Sequence, residues 1–145
     1  MRGLIQRVSE AAVVVDGEVV GQIGPGILLL LGVAKGDSRE QANKLLEKVL
    51  NYRIFSDADD KMNLSLRDTG GGLLVVSQFT LAADTQKGLR PSFSSAEVPA
   101  LAEAMYNDFV AEARARHGHV ATGRFGADMQ VRLINDGPVT FLLEF

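Results

Sequence analysis

A chain of 145 residues, 46 % hydrophobic and 23 % charged, is expected to form one globular domain spanning residues 1–145, long enough to bury a core and too apolar for extended disorder. A formal charge of -3 speaks against wrapping a nucleic-acid backbone, though not against gripping one end of it. With no cysteine, disulfides, thiolate nucleophiles and thiolate zinc sites are excluded.

The N-terminal stretch MRGLIQRVSE lacks the apolar centre of a signal peptide, and no apolar run approaches the roughly 18 residues of a membrane span. A cytoplasmic location without membrane attachment is expected. Between residues 2 and 34 the segments LIQRV, AAVVV, EVVGQI and ILLLLGV predict strands, with Asp16-Gly17 as a hairpin turn between two Val-rich runs. Alternation places Arg7 on the same face as Ile5. Such an arginine either reaches into solvent from an edge strand or turns inward to orient a buried loop. Gly21, Gly24 and Gly26 are assigned to turns, because their spacing misses the dinucleotide fingerprint and a strand follows where a helix should begin.

From Asp37 to about Ile54 the apolar period changes, with Ala42, Leu45, Leu46, Val49 and Leu50 at three- and four-residue steps; this predicts an amphipathic helix capped by Asp37 or Ser38. The acidic loop after it places Asp57 and Asp59 at the first and third positions of a calcium loop. Lys61, Met62 and Asp68 then occupy positions that require an oxygen ligand, a glycine and a bidentate Glu, so calcium is excluded. After Gly70-Gly71-Gly72, which lacks a phosphate-loop ending, residues 73–81 (LLVVSQFTL) read as a central strand that turns polar at Ser77, Gln78 and Thr80.

Residues 82–94 form a predicted loop. A second helix is expected from near Ser95 to Gly118, with Pro99 in its first turn. His117 and His119 are the only histidines and have no neighbouring carboxylate or thiol to complete a metal site. The segments VATGRF, MQVRLI and VTFLLEF close the chain as strands, the last two joined by Asn135-Asp136-Gly137-Pro138-Val139-Thr140. Those residue types make a hairpin turn. The same Gly-Pro pair is cheap to hold cis, at roughly 0.5–1 kcal/mol, and a rigid bond beside a residue without a side chain suits a binding loop equally. The pattern as a whole predicts an α+β protein of mainly antiparallel β-sheets, barrel-like or layered, with two main helices. Basic groups occur at Lys87 with Arg90 and at Arg114, Arg116 and Arg124. They serve either as solvated surface or as a few phosphate contacts.

SQFTL at 77–81 together with NDGPVT at 135–140 resembles the two signature motifs of the D-aminoacyl-tRNA deacylase family, formerly called D-tyrosyl-tRNA deacylases. The similarity extends over IQRV at 5–8, NYRIFSDADDKMNLS at 51–65, LRPSF at 89–93 and GRFGADM at 123–129. It implies hydrolysis of the ester between a D-amino acid and the 3′-terminal adenosine of tRNA, and removal of glycine mischarged on tRNA for alanine. It also implies a homodimer in which a cis Gly137-Pro138 unit enters the partner's pocket and rejects L-amino acids, with Arg7 fixing the loop and two sites per dimer. Ser77, Gln78, Phe79 and Thr80 would be catalytic, Phe125 and Met129 would line the pocket, and Pro91 and Phe93 would border the adenosine. No metal or other cofactor is expected.

For the chemical step, the amides of Phe79 and Thr80 are candidates for an oxyanion hole, with the substrate's 2′-hydroxyl assisting. A nucleophilic Thr80 would need an activating base, for which neither histidine is placed. Two other functions remain open at this stage: a noncatalytic binder of tRNA or DNA ends with the same fold, and a threonine-dependent esterase for small molecules.

Overall fold

The computed structural model describes all 145 residues. Strand β1 (Arg2–Val15) is the axis of the sheet: β3 (Gly26–Gly32) pairs with its first half and β2 (Glu18–Ile23) with its second half, both along one edge, while β8 (Gln130–Glu144) covers the other edge. All three pairings are antiparallel. β6 (Gly72–Ser77) then pairs with β3, and β7 (Val120–Thr122) with β6, both parallel. A small hairpin, β4 (Phe55–Ser56) with β5 (Met62–Leu64), stands apart.

The sheet curls until β7 meets β2. At Gly21 a Cβ would sit 2.1 Å from the Thr122 carbonyl oxygen, so the near-closed barrel needs a residue without a side chain at that point. Alternation then divides the core in two. Leu28, Leu74 and Val76 point into the barrel with Val13 and Val15, whereas Ile27, Leu29, Leu31, Leu73 and Val75 face the helices.

Helix α1 (Arg39–Asn51) buries Ala42, Leu45, Leu46, Val49 and Leu50, each of the larger ones stabilising by roughly 1.5–3 kcal/mol. Ser38, not Asp37, is its cap, in a capping box with Gln41. Asp37 instead accepts from the Met1 ammonium at 2.8 Å and from the Ala34 amide at 2.7 Å. Helix α3 (Pro99–Arg116) begins at its proline rather than at Ser95, because a proline needs no amide partner in the first turn. A short helix not foreseen in the sequence, α2 (Leu66–Thr69), is held by its own capping box and a left-handed Gly70. Glu47 on α1 receives Arg67 of α2 and Arg116 of α3, and Arg67 holds its carboxyl below the usual carboxylate range.

Two expectations are corrected. LIQRV and AAVVV are one continuous strand: of the two polar residues between them, Glu10 pairs with Ile134 of β8, and Ser9 is passed over at an irregularity without ending the strand. MQVRLI and VTFLLEF are likewise one strand of 15 residues, so Asn135–Thr140 is not a hairpin turn. Both of its flanks pair with β1, Gln6 facing Thr140 and Val8 facing Asn135. One residue of β1, Arg7, therefore lies against four of β8, residues 136–139, which leave the ladder as a wide bulge.

The acidic loop has a structural use for Asp57. Its carboxylate accepts from the amides of Asp59 and Lys61 and from the Asn63 side chain, and these bonds hold its pKa below the ordinary value.

Candidate functional site

The residues singled out in the sequence fall into two groups at different places on the sheet. The first lies where β3 and β6 end. Ser77 closes β6 opposite Leu31, and the Gln78 amide still donates to the Leu31 carbonyl at 2.8 Å. The chain then leaves the sheet as a single 3-10 turn, Phe79–Ala82, where a continuing strand was expected. Arg2 Nη1 anchors this turn through the Leu81 carbonyl at 2.7 Å, a role with no signal in the sequence. Gln78 Nε2 donates to Thr80 Oγ1, and Thr80 is exposed.

The first bond of the turn runs from the Leu81 amide to the Gln78 carbonyl. The amides of Phe79 and Thr80 precede it and have no partner within the turn, as at the head of any helix. Beside them the rings of Phe79 and Phe93 meet at 5.1 Å and remain 60 % and 43 % exposed. Pro91 is exposed in the same loop, which closes on itself through paired backbone bonds between Asp84 and Ser92.

The second group lies in the row of Arg7. Its side chain turns inward, 13 % exposed: Nε donates to the Asp136 carbonyl at 2.9 Å and Nη1 to the Ile54 carbonyl at 2.7 Å. Of the two placements open to this arginine, the inward one is observed, with the guanidinium on carbonyls of both the bulge and the Ile54 segment. The Gly137–Pro138 bond is cis, and Gly137 has φ +143°. A Cβ there would meet Val139 Cγ2 at 2.6 Å and Arg7 Nη2 at 3.2 Å, so the position requires glycine. Asn135 ties the neck of the bulge, its Oδ1 accepting from the Val139 amide at 2.7 Å and its Nδ2 donating to Thr140 Oγ1 at 2.9 Å. That role is recognisable in the sequence only as an Asn five residues before a Thr.

These groups do not meet within one chain. Arg7 faces Ile27, which faces Leu73, whereas Ser77 faces Leu31, which faces Gly3. The offset is four residues, roughly 13 Å along the strands, and β8 lies three strand spacings from β6, about 14 Å. Phe125 and Met129 are also separated. Phe125 packs on Tyr106 in the helix layer, ring centres 5.9 Å apart, while Met129 packs inside the barrel and its sulfur accepts from the Arg124 amide at 3.4 Å.

Both histidines sit at the opposite end of β6. His117 Nε2 is 2.6 Å from the Gly71 carbonyl and His119 abuts Gly72, roughly 16 Å from Ser77 along the strand. No imidazole is placed to activate Thr80.

Tyr106, overlooked in the sequence, braces β6 below the first group: its hydroxyl donates to the Val75 carbonyl at 2.9 Å. Burial pushes its pKa up to about 12. The folded state thus holds the proton more tightly than the unfolded chain, so this contribution to stability is complete below about pH 10 and is lost as pH rises through about 12. We expect Tyr106→Phe to remove the late component of the phenolate absorbance, the one that appears near pH 12, and to leave only the absorbance of Tyr52. It should cost only about 1 kcal/mol in denaturant unfolding, because the Val75 carbonyl keeps its bond from the Gly123 amide.

Comparison with known proteins identifies the family of the chain. A family described as D-Tyr-tRNA(Tyr) deacylase matches residues 4–144. The chain is 66 % identical to the D-aminoacyl-tRNA deacylase of Teredinibacter turnerae and 64 % identical to that of Pseudomonas putida, each over 99 % of both chains. Among solved structures, the c-Myc DNA Unwinding Element Binding Protein superposes with a TM-score of 0.97 at 40 % identity, covering 100 % of this chain and 99 % of that one. A probable eukaryotic D-amino acid tRNA deacylase shares the fold at a TM-score of 0.81 and 17 % identity, over 98 % and 97 % of the two chains. The chain belongs to the D-Tyr-tRNA(Tyr) deacylase family, a family of hydrolases.

Proposed function

We propose that this protein hydrolyses the ester linking a D-amino acid to the 3′-terminal adenosine of tRNA, and glycine mischarged on tRNA for alanine, in the cytoplasm as a homodimer. The observation that carries the reading is the pair of amides at Phe79 and Thr80, free at the head of the 3-10 turn beside an exposed aromatic pair. The rings offer a face for a base, and the amides stand where a tetrahedral oxyanion needs donors. Ser77 and Gln78 position this turn, and Pro91 with Phe93 borders the adenosine.

The separation of the two motifs supports a site completed by a second copy. Gly137-Pro138 lies far from the Ser77–Thr80 turn of its own chain, but a neighbouring copy's turn is free to receive it. β8 pairs only with β1 and so presents a long open edge, with Ile134, Phe141 and Leu142 exposed near it; such an edge is a ready pairing surface. In the resulting pocket the loop's backbone carbonyls grip the substrate amine from one side, and an L side chain collides with the loop. Glycine has no side chain to reject and passes. Phe125 and Met129 act as supports on either face of the sheet.

Hydrolysis proceeds with the substrate's 2′-hydroxyl assisting attack. The distance of both histidines from Thr80 argues against a threonine nucleophile. The test is a deacylation assay with matched D- and L-tyrosyl-tRNA, repeated on substrate ending in 2′-deoxyadenosine. D-selective turnover that collapses on the deoxy substrate is expected; equal turnover of both enantiomers would remove the chiral reading. The likeness to a DNA unwinding element binding protein favours one alternative, noncatalytic binding of DNA ends, which requires both absence of any deacylation in the same assay and measurable binding of DNA ends by the same protein.

A further inference from the structure

The loop between the 3-10 turn and α3 carries an arrangement that neither motif uses. From Asp84 to Ser92 it is closed by its paired backbone bonds, with the Asp84 carboxylate accepting from the Gln86 amide at 2.9 Å and Gly88 at φ +71° turning the tip. Lys87 and Arg90 project from this tip, exposed, and neither forms an ion pair. Leu89 between them is fully exposed. At the loop's base Phe93 packs on Phe79, and Ser95 Oγ donates to the Ala82 carbonyl at 2.6 Å. The loop is thereby attached directly to the 3-10 turn.

Most other cations are already engaged. Arg2 and Arg7 hold carbonyls, and Arg67 and Arg116 hold Glu47. Arg114 and Arg124 are unpaired but border a groove along α3 that they share with Glu103. In the 84–92 loop two unpaired cations outnumber one carboxylate, and the same segment leads directly into Phe93, whose ring meets Phe79 with both rings exposed. That pairing of positive charge with a stacking face matches single-stranded nucleic acid: rings take bases and cations take the phosphates between them.

Resting on the function proposed above, we infer that Lys87 and Arg90 bind the phosphates of the single-stranded acceptor end just before the terminal adenosine, with Leu89 packed against an adjoining base. A net acidic protein can then hold tRNA by local charge alone.

The test compares two substrates of the same ester chemistry, D-tyrosyl-tRNA and D-tyrosyl-adenosine, the second lacking every phosphate. In the Lys87→Ala/Arg90→Ala protein, KM for the tRNA should rise roughly tenfold with kcat unchanged. The slope of log KM against log salt concentration should flatten by about 1.4, the value for two single-strand contacts. Hydrolysis of D-tyrosyl-adenosine should match wild type, which also reports that the site is folded. The charge-preserving Lys87→Arg/Arg90→Lys protein should restore KM for the tRNA. A wild-type KM and salt slope in the alanine protein would overturn the phosphate contact, as would an equal loss on both substrates. Wild-type enzyme that hydrolyses neither substrate would instead overturn the deacylase reading on which the contact rests.

Discussion

Replacing Phe79 by proline should lower kcat about 10²–10³-fold relative to Phe79→Ala, the loss expected when one donor is removed from an oxyanion hole. The comparison isolates the amide because both substitutions remove the ring. Loss of the stacking face costs about 1–3 kcal/mol of base binding and is expected to raise KM in both variants. Proline additionally deletes the N–H. The backbone tolerates it: Phe79 is the first residue of the 3-10 turn, where no amide bond is lost. Gln78 before it sits at φ -139° and ψ 83°, outside the α region that a following proline disfavours. Thr80→Ala, which keeps both amides and removes the hydroxyl, should retain turnover within a few-fold. If kcat were the same in the proline and alanine variants at position 79, the amide would have no catalytic role. Loss of turnover in Thr80→Ala would move the chemistry to the threonine hydroxyl.

The residues at this turn were legible in the sequence, but their conformation was not. LLVVSQFTL reads as one strand because local alternation continues through Ser77 and Gln78. What ends the strand is tertiary: the Gln78 amide takes the last ladder bond to Leu31, and Arg2, 79 residues away, holds the Leu81 carbonyl in the 3-10 turn. No local pattern encodes that contact. The hairpin expected at Asn135–Thr140 failed for a related reason. Asn, Asp, Gly and Pro serve a turn and a bulge alike, and the choice depends on whether the flanks pair with each other or with a third strand. Here a 14-residue β1 pairs with both flanks, and its length was disguised by Ser9-Glu10 between two apolar runs. The helices were easier to locate because the spacing of Ala42, Leu45, Leu46, Val49 and Leu50 is a property of the segment itself. Arg7 is intermediate: alternation placed it on the apolar face, and only the Asp136 and Ile54 carbonyls specify why it is there.

Because the two motifs lie apart in one chain, their cooperation is testable by mixing inactive partners. Gly137→Ala places a Cβ 2.6 Å from Val139 Cγ2 at φ +143°, a backbone region that costs a non-glycine residue of order 1–3 kcal/mol. The loop must shift, and the variant should lose most of its activity. Phe79→Pro disables the turn and leaves the loop intact. In a heterodimer of the two, the turn of the Gly137→Ala chain receives the wild-type loop of the Phe79→Pro chain, giving one intact site; the opposite site carries both defects. Random pairing at equal amounts makes half of the dimers mixed, each with one good site of two. Activity should therefore return to about a quarter of the wild-type value per site. Recovery should track the rate of subunit exchange and be absent when the two proteins are mixed without it. If each loop served its own chain, every site would retain a defect and no mixture would exceed the sum of its inactive parents.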